Sequence, residues 1–340
     1  MPIVTRRRLG RVLAGGLGAG GLGAASFGAA TLALPGRARA EAPWPSRPVR
    51  LIVPFPPGGS NDAVARPLAE HFQSRFGQPF VVENRPGAIG MLGAAEVARA
   101  PADGLTLLLT SSTFATSAAT QRTPFDPIGD FEAVAVLADA PLVVLGAPGF
   151  PPDTLAALVA YVRAHPGQVD YGSAGPGSIN HLATELLSQR AGGLAMQHVP
   201  YRGMAQATTD LATGTIQLLV TTLPSARGVI DSGRVKVLGW TGEPRPAGAP
   251  AAPTPRESGF ADYAAGIWWG LLARRGTPPA IRDRLNGAAN EALSGGRLAG
   301  YLAGEGAHLR FDAPAEADAY LRQDIARWRA VAAAANIRPE

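Results

Sequence analysis

A chain of 340 residues that is 46% hydrophobic and 17% charged has room for two ordinary domains, each with its own core. It contains no cysteine, which excludes disulfides, thiolate metal sites and a cysteine nucleophile, so the fold rests on packing alone. The formal charge of +5 includes six arginines (Arg6, Arg7, Arg8, Arg11, Arg37, Arg39) and no acid within the first forty residues; without that segment the balance is −1, and the argument for nucleic acid or an anionic membrane surface falls away.

Residues 1–40 have the make-up of an export signal. Arg6, Arg7 and Arg8, with Leu9 and Arg11, form a twin-arginine-like start. A Gly- and Ala-rich stretch follows from Val12 to Leu34, and Ala38-Arg39-Ala40 gives the small-x-small cleavage pattern. We expect cleavage after Ala40 and a mature chain in the periplasm. An anchor is the alternative, but seven glycines between positions 15 and 28 weaken the apolar run a bilayer requires. The run Gly18-x-Gly20-x-x-Gly23 matches a dinucleotide fingerprint, yet no strand precedes it and no acid follows at the required distance, so it receives no function.

Beyond this segment strands and helices alternate. Val49–Phe55 is a continuous apolar run, as in a strand buried on both faces, and a helix from Asn61 aligns Val64, Leu68, Phe72 and Phe76. Strands are expected at Phe80–Glu83 and Leu105–Leu109, with a helix between Leu92 and Ala100. The pattern then repeats with helix Thr154–Ala164, strand Val169–Gly172, helix Ile179–Ala191, strand Gln197–Pro200, helices near 204–213 and 224–232, and strands Ile216–Val220 and Val235–Gly239. This reads as a second parallel-sheet layer, followed by a surface loop over 242–255. The apolar runs Pro141–Gly146 and Ile267–Ala273 are natural crossings between two lobes, and a last helix presenting Leu321, Ile325, Trp328 and Val331 packs back on the first lobe. The expected division is 41–141 plus 266–340 for lobe 1 and 142–265 for lobe 2, two Rossmann-like α/β lobes on a two-segment hinge.

Two Gly-rich turns, PFPPGGSND (54–62) and YGSAGPGS (171–178), each follow a strand and open a helix. Helix starts present unpaired N–H groups and the positive end of the peptide dipole, so a facing pair would hold a small carboxylate. The candidates in the first turn are Pro57, Gly58, Gly59 and Asp62. The glycines allow close approach, Ser60 is placed to cap, and Asp62 either caps amides or holds a ligand ammonium or hydroxyl. In the second turn they are Ser173, Gly175, Gly177 and Ser178, with His181 one helical turn on, which either donates to ligand or bonds a neighbouring carbonyl. Strand ends add Asn84, Ser111, Ser112 and Thr221, for which ordinary turn chemistry is the alternative.

An enzyme finds little support. There is no G-x-S-x-G, neither Gly-rich turn is followed by Lys and Ser or Thr, and the histidines at 71, 165, 181, 198 and 308 have no paired ligand spacing. A periplasmic α/β hydrolase stays a remote alternative, and no cofactor or metal is expected.

Six collinear stretches carry a resemblance: WPSRPVRLIVPFPPGGSNDAVAR, VVENRPGAIGMLGAAEVARAPADGLTLLL, FDPIGDFEAVAVLADAPLVV, DYGSAGPGSINHLATELL, HVPYRGMAQATTDLATG and WWGLLARRGTP. Together they make the chain similar to the Bug-type (TctC) periplasmic solute-binding receptors of tripartite tricarboxylate transporters. The resemblance implies a type II periplasmic binding-protein fold with a ligand cleft between the lobes. It also implies a carboxylated solute (organic acid, amino acid or aromatic acid), a monomeric receptor and delivery to integral membrane subunits. A receptor that docks on a signalling protein is the alternative. The chain departs from the family pattern in the strand Ile216-Gln217-Leu218-Leu219-Val220, where Asp and Phe are often found, just before Thr222, where an Asp or Asn is common and this chain has Thr221, and at Trp268-Trp269, where Trp-Tyr is usual.

Overall fold

The computed structural model describes residues 44–201, 203–246 and 248–337; the expected signal segment and its cleavage point lie outside the described residues. In chain order the elements are β1 (Val49–Val53), α1 (Ser60–Phe76), β2 (Phe80–Asn84), a 3₁₀ turn (Ala88–Gly90), α2 (Met91–Ala98), β3 (Thr106–Ser111), α3 (Thr113–Thr120), β4 (Phe131–Pro141) and β5 (Val143–Gly146). Then come α4 (Leu155–Ala164), β6 (Asp170–Ser173), α5 (Ile179–Arg190), β7 (Gln197–Pro200), α6 (Met204–Thr213), β8 (Leu218–Thr221), α7 (Leu223–Asp231) and β9 (Lys236–Trp240). The chain closes with β10 (Gly266–Arg274), α8 (Pro279–Leu293), α9 (Gly296–Gly304), β11 (His308–Leu309) and α10 (Pro314–Ala334).

These strands form two sheets, β11-β4-β10-β3-β1-β2 and β7-β6-β8-β5-β9. Central strands are apolar throughout because helices cover both faces: Leu51, Ile52, Leu107, Leu108, Leu218 and Leu219 are all fully buried. In the first sheet β1 runs parallel to β2 and β3, and in the second β6 runs parallel to β7 and β8. Neither sheet is purely parallel, which corrects the reading of the second as a parallel layer. β10 is antiparallel to β3 and β4, and β5 is antiparallel to β8 and β9. β5 and β10 are each the first strand their sheet receives after the chain has come across from the other, so each enters from the opposite end, and the short β11 is likewise antiparallel to β4. This is the type II periplasmic binding-protein arrangement of two α/β lobes.

The crossings themselves are shorter than the apolar runs suggested. Leu142 alone separates β4 from β5, and the return path leaves β9 at Thr241 and reaches β10 at Gly266. Thr241 fastens the two paths together: its buried Oγ1 accepts from the Leu142 N–H (2.7 Å) and donates to the Ala265 carbonyl (2.7 Å). The segment 242–255 is more than a surface loop. The Trp240 N–H donates to the Pro253 carbonyl, and Ala252 and Thr254 are buried, so residues 252–254 cover the free edge of β9 at Trp240. In α10 the predicted face is buried as expected, with Leu321, Ile325, Trp328 and Val331 all inside.

Candidate functional site

The parallel strands of each lobe end where helices begin, so α1 and α3 in lobe 1 and α5 and α7 in lobe 2 direct their N-termini toward the carboxyl edges of the sheets. The lobes meet there. Gly90 packs on Pro54 and Phe55 of the first Gly-rich turn, and the neighbouring Ile89 lies with Cδ1 3.6 Å from where a Cβ on Gly175 of the second turn would stand. A Cβ on Gly177 would collide with Thr120 Oγ1 of α3. The two turns therefore flank one crevice.

The first turn is braced by Asp62. Its Oδ2 accepts from the Gly58 N–H (3.0 Å) and Arg66 Nε (2.9 Å), while Oδ1 accepts from Arg66 Nη2 (2.9 Å) and Asn84 Nδ2 (3.0 Å). Asn84 Nδ2 also reaches the Phe55 carbonyl (3.0 Å). Burial raises the Asp62 carboxyl, but Arg66, the Gly58 amide and Asn84 outweigh it and hold the group below the usual carboxylate range. Of its two sequence roles, capping an amide is the one its contacts display, and Asn84 serves the same brace. With Asp62 occupied and Gly59 at the N-cap, α1 has no side-chain cap, and the amides of Gly59, Ser60 and Asn61 find no acceptor among the described residues. Pro57 carries no N–H and sits exposed on the turn.

The second turn is held from beneath. Ser178 caps α5: its Oγ donates to the Gly175 carbonyl (2.8 Å) and accepts from the His181 N–H (3.4 Å). His181 Nδ1 accepts from the Gly177 N–H (3.0 Å), so that amide is committed within the turn and the imidazole carries its proton on Nε2. The Gly175 N–H goes to Ser173 Oγ (3.0 Å). The amides left without a described acceptor are those of Ala174, Ile179 and Asn180. In this turn the amides without a described acceptor are thus neighbours of the residues singled out from sequence, whereas in the first turn Gly59 is itself a candidate.

Below the turn, His181 and His198 stack with ring centroids 4.0 Å apart, Tyr171 continues the stack on His198 at 5.1 Å, and the Tyr171 hydroxyl donates to Glu185 (2.6 Å). Burial, then the neighbouring His198, pushes His181 down to about 3, and burial lowers His198 as well, so both are neutral near pH 7. His198 Nε2 lies 2.6 Å from Ser173 Oγ, the spacing of a nucleophile and base. Ser173 is fully buried and bonded to the Gly175 backbone, so it cannot meet a substrate.

The strand-end candidates divide. Ser112 Oγ accepts from the Trp268 N–H (2.7 Å) and bonds the Gly266 carbonyl (3.1 Å), locking β10 to the tip of β3. Ser111 Oγ receives Asn61 Nδ2 at 3.4 Å, and Thr221 Oγ1 is buried without a described partner. Trp268 and Trp269 are buried within β10.

Asn61 and Asn180 were not singled out from the sequence. Each is the second helical residue after its turn, each is buried, and each donates to the tip of the strand beside its own: Asn61 to Ser111 at the end of β3, Asn180 Nδ2 to the Val220 carbonyl (2.8 Å) near the end of β8. The available signal was the repeated Asn two residues past a Gly- or Ser-capped turn.

A broad concavity of about 800 Å³ lies between α1 and the edge strand β2, lined by Arg66, Glu70, Gln73, Gln78, Phe80 and Val82. It contains neither Gly-rich turn and is separate from the crevice between them. Among the described residues no cluster of three or more His, Asp or Glu is arranged to hold a metal, and no helix is long and apolar enough to cross a membrane.

Comparison with known proteins identifies the family. Residues 64–337 match the tripartite tricarboxylate transporter family receptor. The chain is 37% identical to protein BugT of Bordetella pertussis over 291 residues, spanning 85% of this chain and 89% of BugT. Among solved structures it is similar to R. palustris Rpa4515 with adipate, at 34% identity and a TM-score of 0.78 over 87% of this chain and 100% of that one. It is also similar to MatC from Rhodopseudomonas palustris with bound malate, at 31% identity and a TM-score of 0.76 over 85% of this chain and 99% of that one. The matched family is one of transporter receptors and not of enzymes. With the match extending over both lobes and both Gly-rich turns lying within the aligned fold, the chain belongs to the tripartite tricarboxylate transporter (TctC, or Bug) receptor family.

Proposed function

We propose that this chain is an extracytoplasmic receptor that captures a small carboxylated solute by closing its lobes, 41–141 plus 266–340 against 142–265, and delivers it to the membrane subunits of a tripartite tricarboxylate-type transporter. It works as a monomer in the periplasm, reached through the signal-like segment 1–40. The observation that carries this reading is the pair of helix starts flanking one crevice. α1 offers Gly59, Ser60 and Asn61, and α5 offers Ala174, Ile179 and Asn180, as amides that no described group accepts from. Gly58, Asp62 and Asn84 on one side, and Ser173, Gly175, Gly177, Ser178 and His181 on the other, form and hold the turns that present these amides, with Pro57, Ser111, Ser112 and Thr221 around them. Neutral imidazoles suit such a site, because binding depends on dipoles and a charged lysine or arginine is not required. The adipate and malate held by the two solved relatives support a dicarboxylate as first choice.

Closure is driven only by what the ligand gains in the closed form over the open one. Purified protein lacking residues 1–40 should therefore show a rise in thermal midpoint with one or more acids of a panel containing mono-, di- and tricarboxylates, followed by saturable heat in calorimetry. A flat response across the whole panel would refute the reading.

A further inference from the structure

Ala88 and Ile89 have φ of 46° and 50°, and Ile89 has ψ of 44°. That is the left-handed region, which a β-branched side chain occupies only under strain. Glycine would take the same backbone shape at no cost, and glycines stand close by at positions 87 and 90, with φ of 138° and 90°. Strain of this kind persists where surroundings impose it, and it concentrates at ligand clamps.

The surroundings here are specific. Gly90 is seated on Pro54 and Phe55 of the first Gly-rich turn, and Ser117 Oγ of α3 donates to the Ile89 carbonyl (3.3 Å). The backbone is thus pinned from lobe 1 on two sides, and the side chain projects toward lobe 2, where its Cδ1 faces the bare Cα of Gly175. Ile89 remains half-buried, so part of its hydrocarbon is left uncovered by protein. It stands beside both turns whose amides are unclaimed.

We propose that Ile89 is a specificity-determining residue of the crevice, a hydrocarbon wall beside the middle of the bound acid that favours an unsubstituted carbon chain over one bearing a hydroxyl or amino group. The proposal rests on the receptor reading above. Isoleucine offers no donor or acceptor, so a polar substituent pressed against it gives up its bonds to water and gains none in return. A wall made of glycine, or of asparagine, which tolerates left-handed backbone, would remove that penalty.

The test is calorimetry on the parent protein, Ile89→Gly and Ile89→Asn. The probes are pairs of diacids that differ by one hydroxyl: succinate and malate, glutarate and 3-hydroxyglutarate, adipate and 3-hydroxyadipate. In whichever pair binds, the parent should prefer the plain diacid by about tenfold or more, and Ile89→Asn should shrink that preference at least about fivefold. The ligand-free thermal midpoint of Ile89→Gly should not fall below the parent, because relief of strain offsets the lost contact. A parent that prefers the hydroxylated member, a preference that neither variant changes, or a variant that only lowers the midpoint would each overturn the inference while leaving the receptor intact. Binding by monocarboxylates or tricarboxylates with no diacid bound overturns it as well. An absence of binding by every acid overturns the inference and the receptor reading together.

Discussion

Replacing Gly177 by alanine separates the work of the second turn from the work of closure. Gly177 has φ of +82°, so any side chain there strains the turn in the open and the closed state alike, by about 1–2 kcal/mol. That term lowers the stability of lobe 2 and leaves ligand affinity unaffected. The added Cβ also collides with Thr120 Oγ1 of α3, which belongs to lobe 1, so this second term exists only when the lobes are together. Forced overpacking of this kind costs about 1–3 kcal/mol, which converts to roughly 5-fold to 150-fold in affinity. Thr120→Ala removes the obstructing hydroxyl. The double variant should then recover most of the affinity measured by calorimetry while keeping the lowered thermal midpoint, a coupling that a double-mutant cycle quantifies. Affinity unchanged in Gly177→Ala, or lost equally in the single and double variants, would show that this contact plays no part in the bound state.

Ser178→Ala removes the α5 cap and the bond to the Gly175 carbonyl, and should weaken binding of the preferred acid by about 1 kcal/mol or more in the same titration. Asn61→Ala and Asn180→Ala each delete a buried tie between a helix start and the next strand tip; each should lower the chemical-denaturation stability by about 1–3 kcal/mol, and equal losses would fit their matching places in the two lobes. For His181 the folded value near 3 lies below the ordinary 6.5, so between those values the unfolded chain binds the extra proton. The stability His181 confers is therefore fully present above about pH 6.5 and drains away as pH falls toward 3. Midpoints measured across that window should slope less steeply in His181→Gln, and an identical slope would remove the buried imidazole from the account.

The starts of α1 and α5 were legible because glycine and serine punctuate a strand-to-helix turn in a fixed way, and both helices began within a residue of expectation. Asn61 and Asn180 were not, because a polar residue early in a helix resembles an ordinary surface position until its partner on another strand is known. α3 escaped notice since all eight of its residues are buried, leaving no polar face to give a period. Strand direction is silent for a similar reason: Val143–Gly146 and Gly266–Arg274 are apolar on both faces whichever way they run. Asp62 left two roles open from sequence; Arg66 sits one helical turn away and was readable as its ion-pair partner, but Asn84, which completes the brace, comes from a strand whose pairing had to be seen.

The hydroxyl of Thr241 knots the outgoing and returning paths at one point, and this restricts how the two halves can swing. Two independent links would permit both a twist and a sideways slide. In the proposed closure a tie of this kind favours rotation about an axis near residue 241 over a sideways slide. The bare glycines of the second turn face Ile89 and Thr120 of lobe 1, so in the proposed closure these are contacts that form as the crevice shuts.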